Sequence, residues 1–268
     1  MLLCSHGFRA PAIQRNSASC FLKYKEAHSA RFVVFITTRL IKSYQQISED
    51  SKMKWKAVMF TGDSITDCKR GRPIGDGFGS IGDSYLSRIF IDTWADMPNH
   101  HIKYLNSATS GNTSKMLLDR FDEEVLAYNP DYLFIMIGVN DIWRHFDGGA
   151  LREELISVEQ TVENMRTMIE KTRAQGAVPV ILSPYFLETD RTDPMRRMCD
   201  EINAGYKKLA EEYGIGYIDI QTPLDRYVAA VGSSYLLSGD RVHPKAVGCA
   251  LIAKCIYNHP AFRVIFDD

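Results

Sequence analysis

From residue 53 onward the chain alternates between two hydrophobic periods. Val58-Met59-Phe60 is a short apolar run that stops at Thr61-Gly62, and Tyr104-Leu105-Asn106 is a weaker one. Tyr132 to Ile137 is apolar without a break, the pattern of a central parallel strand covered on both faces. Val178 to Leu182 and Ile215 to Asp219 add two more strands. Pro179 has no N–H to give to a ladder, so the fourth strand is expected to begin there. Between these runs the period changes to that of a helix. Leu155, Val158, Val162, Met165 and Ile169 recur at steps of three and four and make one stripe that ends near Gln175-Gly176. Met198, Ile202, Tyr206, Leu209 and Tyr213 repeat the pattern, with Pro194 near the start and Gly214 just past the end. A last helix is expected from Pro244 through Ala250, Leu251 and Ile256. Strand–helix alternation of this kind predicts an α/β fold: a five-stranded parallel sheet with helices on both faces and right-handed crossovers.

The first 52 residues do not share the pattern. They carry eight lysines and arginines against three acids, and their longest apolar stretch, Phe32 to Ile36, lies between Arg31 and Arg39. That stretch is too short and too far along for a signal-peptide core. The segment is expected to be a basic extension, disordered or lying upstream of a true start at Met53, with a faint likeness to an organellar transit peptide. The folded domain is expected over 53–268, long enough to bury a sizeable core. With 45% apolar and 24% charged residues and a net charge of −1, nothing in the composition points to nucleic acid or an anionic membrane surface. No apolar run is long enough to span a membrane. The six cysteines form no CxxC pair and no zinc spacing, so they read as structural thiols in a reducing, cytoplasmic compartment.

In open parallel sheets, ligands bind beyond the carboxyl ends of the strands. Four groups of polar residues fall there. Ser64 follows the first strand, Gly111 the second and Asn140 the third, while Asp240 and His243 precede the last helix. Each has an ordinary structural reading: a capping serine, a turn glycine, a turn asparagine and a capping histidine. Together they also have a chemical one. A serine hydroxyl needs a base to take its proton and a third group to hold that base in the right tautomer. An aspartate three residues before a histidine can accept the Nδ1 proton and leave Nε2 to face the serine. The backbone N–H groups of Ser64 and Gly111 and the Asn140 amide supply three donors for an oxyanion, each worth roughly 3–4 kcal/mol of transition-state stabilisation. The run around Ser64 lacks the second glycine of G-x-S-x-G, which argues against the α/β-hydrolase elbow.

The four blocks Gly62-Asp63-Ser64-Ile65-Thr66, Gly111, Gly138-Val139-Asn140-Asp141 and Asp240-Arg241-Val242-His243 resemble those of the SGNH (GDSL-type) hydrolases. The resemblance implies a three-layer, flavodoxin-like α/β/α sandwich. It also implies Ser64 as nucleophile, Asp240 and His243 completing a triad, and Gly111 and Asn140 as oxyanion donors. Gly62-Asp63-Ser64-Ile65-Thr66-Asp67 followed by Arg70-Gly71-Arg72-Pro73, Met136-Ile137-Gly138-Val139-Asn140-Asp141-Ile142-Trp143-Arg144 and Asp193-Pro194-Met195-Arg196-Arg197 are similar to bacterial carbohydrate esterases that deacetylate xylan fragments. Those relatives imply an intracellular enzyme, often a homo-oligomer. Some of them place an aromatic residue directly before the last block, where this chain has Ser238-Gly239.

The expected reaction is ester hydrolysis through an acyl-enzyme, with no cofactor and no metal, on small acyl esters of a saccharide. No long apolar insertion is present to form a lipase lid. Asp63, Trp143, Arg144 and Tyr185 are candidate substrate contacts. Trp143 and Tyr185 stack on a sugar or pack the rim, and Arg144 bonds hydroxyls or serves as a surface charge. Arg70, Arg72, Arg196 and Arg197 read as surface or inter-subunit ion-pairing groups. Two rivals stay open: the same chemistry on a lysophospholipid, thioester or acetylated sialic acid, and a non-catalytic binding module in which Gly75, Gly77, Gly79 and Gly82 cradle a phosphate.

Overall fold

The computed structural model describes residues 55–77, 79–147 and 155–267; the basic segment 1–52 and its boundary at residue 53 lie outside them. The strands are β1 (Lys56–Gly62), β2 (Gly75–Asp76), β3 (Ile102–Asn106), β4 (Tyr132–Met136), β5 (Val178–Leu182) and β6 (Gly216–Ile218). They form one sheet in the order β2-β3-β1-β4-β5-β6. Five strands are parallel, as the pattern predicts. The sixth, β2, runs antiparallel at the edge, pairing Gly75 with Asn106 and Asp76 with Leu105. Two residues are too few to show a period of two, which is why the sheet is one strand wider than expected. β5 begins at Val178, with Pro179 second and opposite Leu133.

Ten α-helices connect and cover the strands among the described residues: α1 (Ser64–Asp67), α2 (Tyr85–Asp96), α3 (Ser114–Asp119), α4 (Phe121–Glu124), α5 (Val139–Trp143), α6 (Val158–Ala174), α7 (Pro194–Tyr213), α8 (Gln221–Val231), α9 (Ala246–Tyr257) and α10 (Pro260–Arg263). On one side α2 packs against α9; on the other, α6 packs against α3 and α7. With both faces covered, every residue of β4 is buried. Phe60 of β1 and Phe134 of β4 stack at 4.7 Å between ring centroids, at paired register positions. The helix signals hold at α7. Asp193 accepts from the Arg196 N–H at 3.0 Å, Pro194 opens the helix, and Gly214 closes it in the left-handed region at φ +62°. The helix expected from Pro244, α9, begins at Ala246 because Pro244 is paired with Ser238 in an isolated bridge, and the short α10 follows it.

The chain passes from β1 to β3 on one side, then crosses to β4 on the other. The crevice of such a sheet opens where that reversal occurs, above the ends of β1 and β4. Ser64 and Asn140 stand at those two ends.

Candidate active site

Close approach of β1 and β4 begins the site. Gly62 ends β1 at φ +150°, and a Cβ there would lie 2.0 Å from the Met136 carbonyl oxygen. Only glycine permits that contact. Asp63 then caps α1, its Oδ1 accepting from the Ile65 N–H at 3.0 Å, and Ser64 is the first residue of the helix.

The histidine arrives on a loop wrapped around a carboxylate. Asp240 Oδ1 accepts from the backbone N–H groups of Val242 (3.0 Å) and His243 (2.8 Å) and from Ser238 Oγ (2.9 Å). From beneath, the buried Tyr185 hydroxyl donates to the Val242 carbonyl at 2.7 Å. Asp240 Oδ2 lies 2.7 Å from His243 Nδ1, and His243 Nε2 lies 2.8 Å from Ser64 Oγ. With the Nδ1 proton turned to the aspartate, Nε2 accepts from the serine hydroxyl. Burial works to raise the Asp240 carboxyl, but bonds from the His243 side chain and backbone, Val242 and Ser238 outweigh it and hold the group well below the usual carboxylate range. An ionised partner keeps the imidazole oriented and favours its protonated form during proton transfer.

Gly111 sits on the β3–α3 connection at φ +82°, a left-handed conformation that favours glycine. Among the described residues its N–H has no protein acceptor. Asn140, in the first turn of α5, donates one amide proton to the Asn112 carbonyl at 2.9 Å, which leaves its second amide proton for another acceptor. Sequence positions 64, 111, 140, 240 and 243 are thus brought to one edge of the sheet. The arrangement has the parts that acyl transfer from a serine requires: a hydroxyl, an oriented base and amide donors near it.

Four other expectations change or sharpen. Tyr185 is buried and braces the histidine loop, so it is no platform for a sugar. Asp63 is also buried and cannot touch substrate. Burial above all, with the Asp141 charge in the same direction, pushes its carboxyl up to about 7 against the opposing pull of the Ile65 N–H and His243. Trp143 is half-buried, its ring 5.8 Å from that of His243, at the rim of the site. Arg144 pairs with Asp147 at 2.6 Å and reaches toward Gly111. Arg144 also lines an open cavity of about 870 Å³ with Thr113, Lys115, Asp119, Ile156 and Gln160, to which Ser64, Asn140, Asp240 and His243 do not contribute.

Two arginines read as surface charges prove interior. Arg196 is fully buried, held by Asp225 at 2.6 Å and Asp200 at 3.0 Å. Arg70 is buried and donates to the carbonyls of Ala108 and Ser107. Family-like position does not distinguish a buried guanidinium from an exposed one; only its carbonyl and carboxylate partners do. Sequence reasoning also missed Ser238, the hydroxyl that completes the Asp240 shell, although its spacing two residues before an aspartate fits a side-chain turn. Gly75, Gly77, Gly79 and Gly82 belong to β2 and the connection to α2 rather than to the turn that follows β1. Among the described residues no group of three or more His, Cys, Asp or Glu is placed to hold a metal ion.

Comparison with known proteins agrees with the geometry. The chain is 32% identical to the acetylxylan esterase of Geobacillus stearothermophilus over 207 residues, 77% of this chain and 94% of that protein. Its fold matches the crystal structure of that acetylxylan esterase, Axe2, with a TM-score of 0.72 over 80% of this chain and 94% of the other. It also matches LAE5, an α/β hydrolase enzyme from the metagenome of Lake Arreo, at 30% identity and a TM-score of 0.72 over 79% of this chain and 95% of the other. In catalytic mutants of Axe2 the replaced serine, aspartate and histidine stand at the same sequence intervals as Ser64, Asp240 and His243. Axe2 has a tryptophan directly before that aspartate, where this chain has Gly239. Residues 60–251 match the GDSL-like lipase/acylhydrolase family, and the chain is a member of it.

Proposed function

We propose that this protein is a serine esterase that removes acetyl groups from xylan-derived oligosaccharides. The observation that carries the reading is the continuous path Ser64 Oγ–His243 Nε2 at 2.8 Å and His243 Nδ1–Asp240 Oδ2 at 2.7 Å. In the first step His243 takes the Ser64 proton as the oxygen attacks the acetyl carbonyl. The N–H groups of Ser64 and Gly111 and the Asn140 amide hold the tetrahedral oxygen. His243 then protonates the departing sugar oxygen, and the acetyl group stays on Ser64. Water repeats the sequence, His243 taking its proton, and acetate leaves.

Both Asp240 and His243 are exposed, which supports access by a bulky hydrophilic leaving group. Trp143 at the rim offers a ring to a sugar face. Cys68, Cys199, Cys249 and Cys255 are free thiols, which supports the cytoplasmic assignment. No described helix is long and apolar enough to cross a membrane. The homo-oligomer implied by the resemblance is tested by sedimentation. Initial rates on acetylated xylobiose, a long-chain nitrophenyl ester and acetylated sialic acid test the substrate. A preference for the long-chain ester overturns the saccharide assignment, a preference for acetylated sialic acid overturns the xylan assignment, and equal rates for wild type and Ser64→Ala overturn the enzyme.

A further inference from the structure

The connection from β3 to α3 carries Gly111, and it is anchored by side chains that take no part in the triad. Arg70 Nε donates to the Ala108 carbonyl at 2.6 Å, and Arg120 Nη1 to the Ser107 carbonyl at 2.8 Å. Arg120 Nε also holds Asn112 Oδ1 at 2.7 Å. The residue directly before Gly111 is held differently. Both the backbone N–H and the hydroxyl of Ser110 donate to one oxygen, Asp67 Oδ2, each at 2.8 Å. Arg72 Nη2 donates to that same oxygen at 2.6 Å.

Asp67 is the last residue of α1, the helix that Ser64 begins. One four-residue helix therefore carries the nucleophile at its first position and the tether of the neighbouring loop at its last. We infer that Asp67, clamped by Arg72, is the positioning residue of the oxyanion site: by holding Ser110 it fixes the direction of the Gly111 N–H relative to Ser64. The inference rests on the acyl-transfer reading above and extends it to residues outside the four family blocks.

Three observations support a dedicated role. Asp67 is buried beside Arg70, Arg72 and Arg120, and its other oxygen has no partner. Burial raises the carboxyl, yet the bonds from Arg72 and Ser110 overcome it and keep the group below its ordinary value, so it is ionised when the enzyme works. Charged acceptors also make the strongest bonds to N–H and O–H groups. An amide in the same place would keep the shape and lose that strength.

The test uses Asp67→Asn in the full chain. The hydrolysis of p-nitrophenyl acetate and inhibition by phenylboronic acid, which forms a tetrahedral adduct on a reactive serine, are measured together. Outright loss of an oxyanion donor costs about 10²–10³-fold in kcat, so misaiming one is expected to cost about 10- to 100-fold, with KM within about twofold. Phenylboronic acid should weaken in step with kcat, because both depend on the tetrahedral oxygen. A fall in kcat without loss of boronate affinity, or no fall in kcat, overturns the inference. If Asp67→Asn does not fold, Arg72→Ala and Ser110→Ala decide it by the same two readouts, with Arg72→Lys recovering most of the Arg72→Ala loss. Ser64→Ala runs beside them. Equal rates for Ser64→Ala and wild type overturn both readings, whereas unaltered Asp67, Arg72 and Ser110 variants of an enzyme that Ser64→Ala silences overturn this one alone.

Discussion

Ser64 Oγ and His243 Nε2 lie 2.8 Å apart although 179 positions separate them in the chain. A hydroxyl at that distance from an oriented imidazole is ready to lose its proton. Ser64→Ala is therefore expected to lower kcat on p-nitrophenyl acetate by at least about 10³-fold, with the circular dichroism spectrum unchanged. A variant within tenfold of wild type would remove the serine from the chemistry.

Asn140 shares its amide between the Asn112 carbonyl and the open side of the site. Asn140→Ala should cost about 10²-fold in kcat and leave KM within about threefold, since the lost bond forms only with the tetrahedral oxygen. Steady-state kinetics on one acetyl ester decide it. A rise in KM at constant kcat would assign Asn140 to ground-state binding instead.

Asp63 links pH to stability. Its carboxyl titrates near 7 when folded and near 3.9 in an unfolded chain. Between those values the folded form keeps a proton that the unfolded form has released. Stability must then fall as pH rises from about 4 to about 7 and level off above. Asp63→Asn keeps an N-cap residue and abolishes the slope. Denaturant unfolding should find the two proteins within about 1 kcal/mol near pH 4.5 and the variant more stable by up to about 4 kcal/mol at pH 8.5. A difference that does not change with pH would show that the Asp63 carboxyl does not titrate as described.

Arg196 is the largest fully buried side chain in the fold, and its charge is matched by Asp200 and Asp225. Arg196→Met would take the buried guanidinium from Asp200 and Asp225 and leave them Arg191, 2.9 Å from each, at a cost of about 3 kcal/mol. Differential scanning calorimetry should record a melting temperature lower by about 10 °C. A shift under about 2 °C would mean the carboxylates find water.

Much of this was readable beforehand because the signals are local. β4 is an unbroken apolar run, and α7 has its stripe, its proline and its closing glycine in order. Ser64, Gly111, Asn140 and His243 each follow a strand or precede a helix, so topology alone gathers them. Other features were hidden because they depend on partners distant in sequence. Nothing around Tyr185 says that its hydroxyl will meet the Val242 carbonyl, and nothing near Arg70 or Arg196 says which way a guanidinium will turn. β2 was invisible because two residues carry no periodicity. The role of Asp67 emerges only when Ser110 is seen beside it.

The order of the catalytic parts along the chain bears on its synthesis. Ser64, the proposed acyl acceptor, leaves the ribosome early and the imidazole it meets 179 residues later. A nascent polypeptide interrupted before His243 carries a hydroxyl no more reactive than any other serine. Turnover of a fluorogenic acetate during translation would therefore time the docking of the Ser238–His243 loop, and a chain stalled at two thirds of its length would remain harmless to every ester around it.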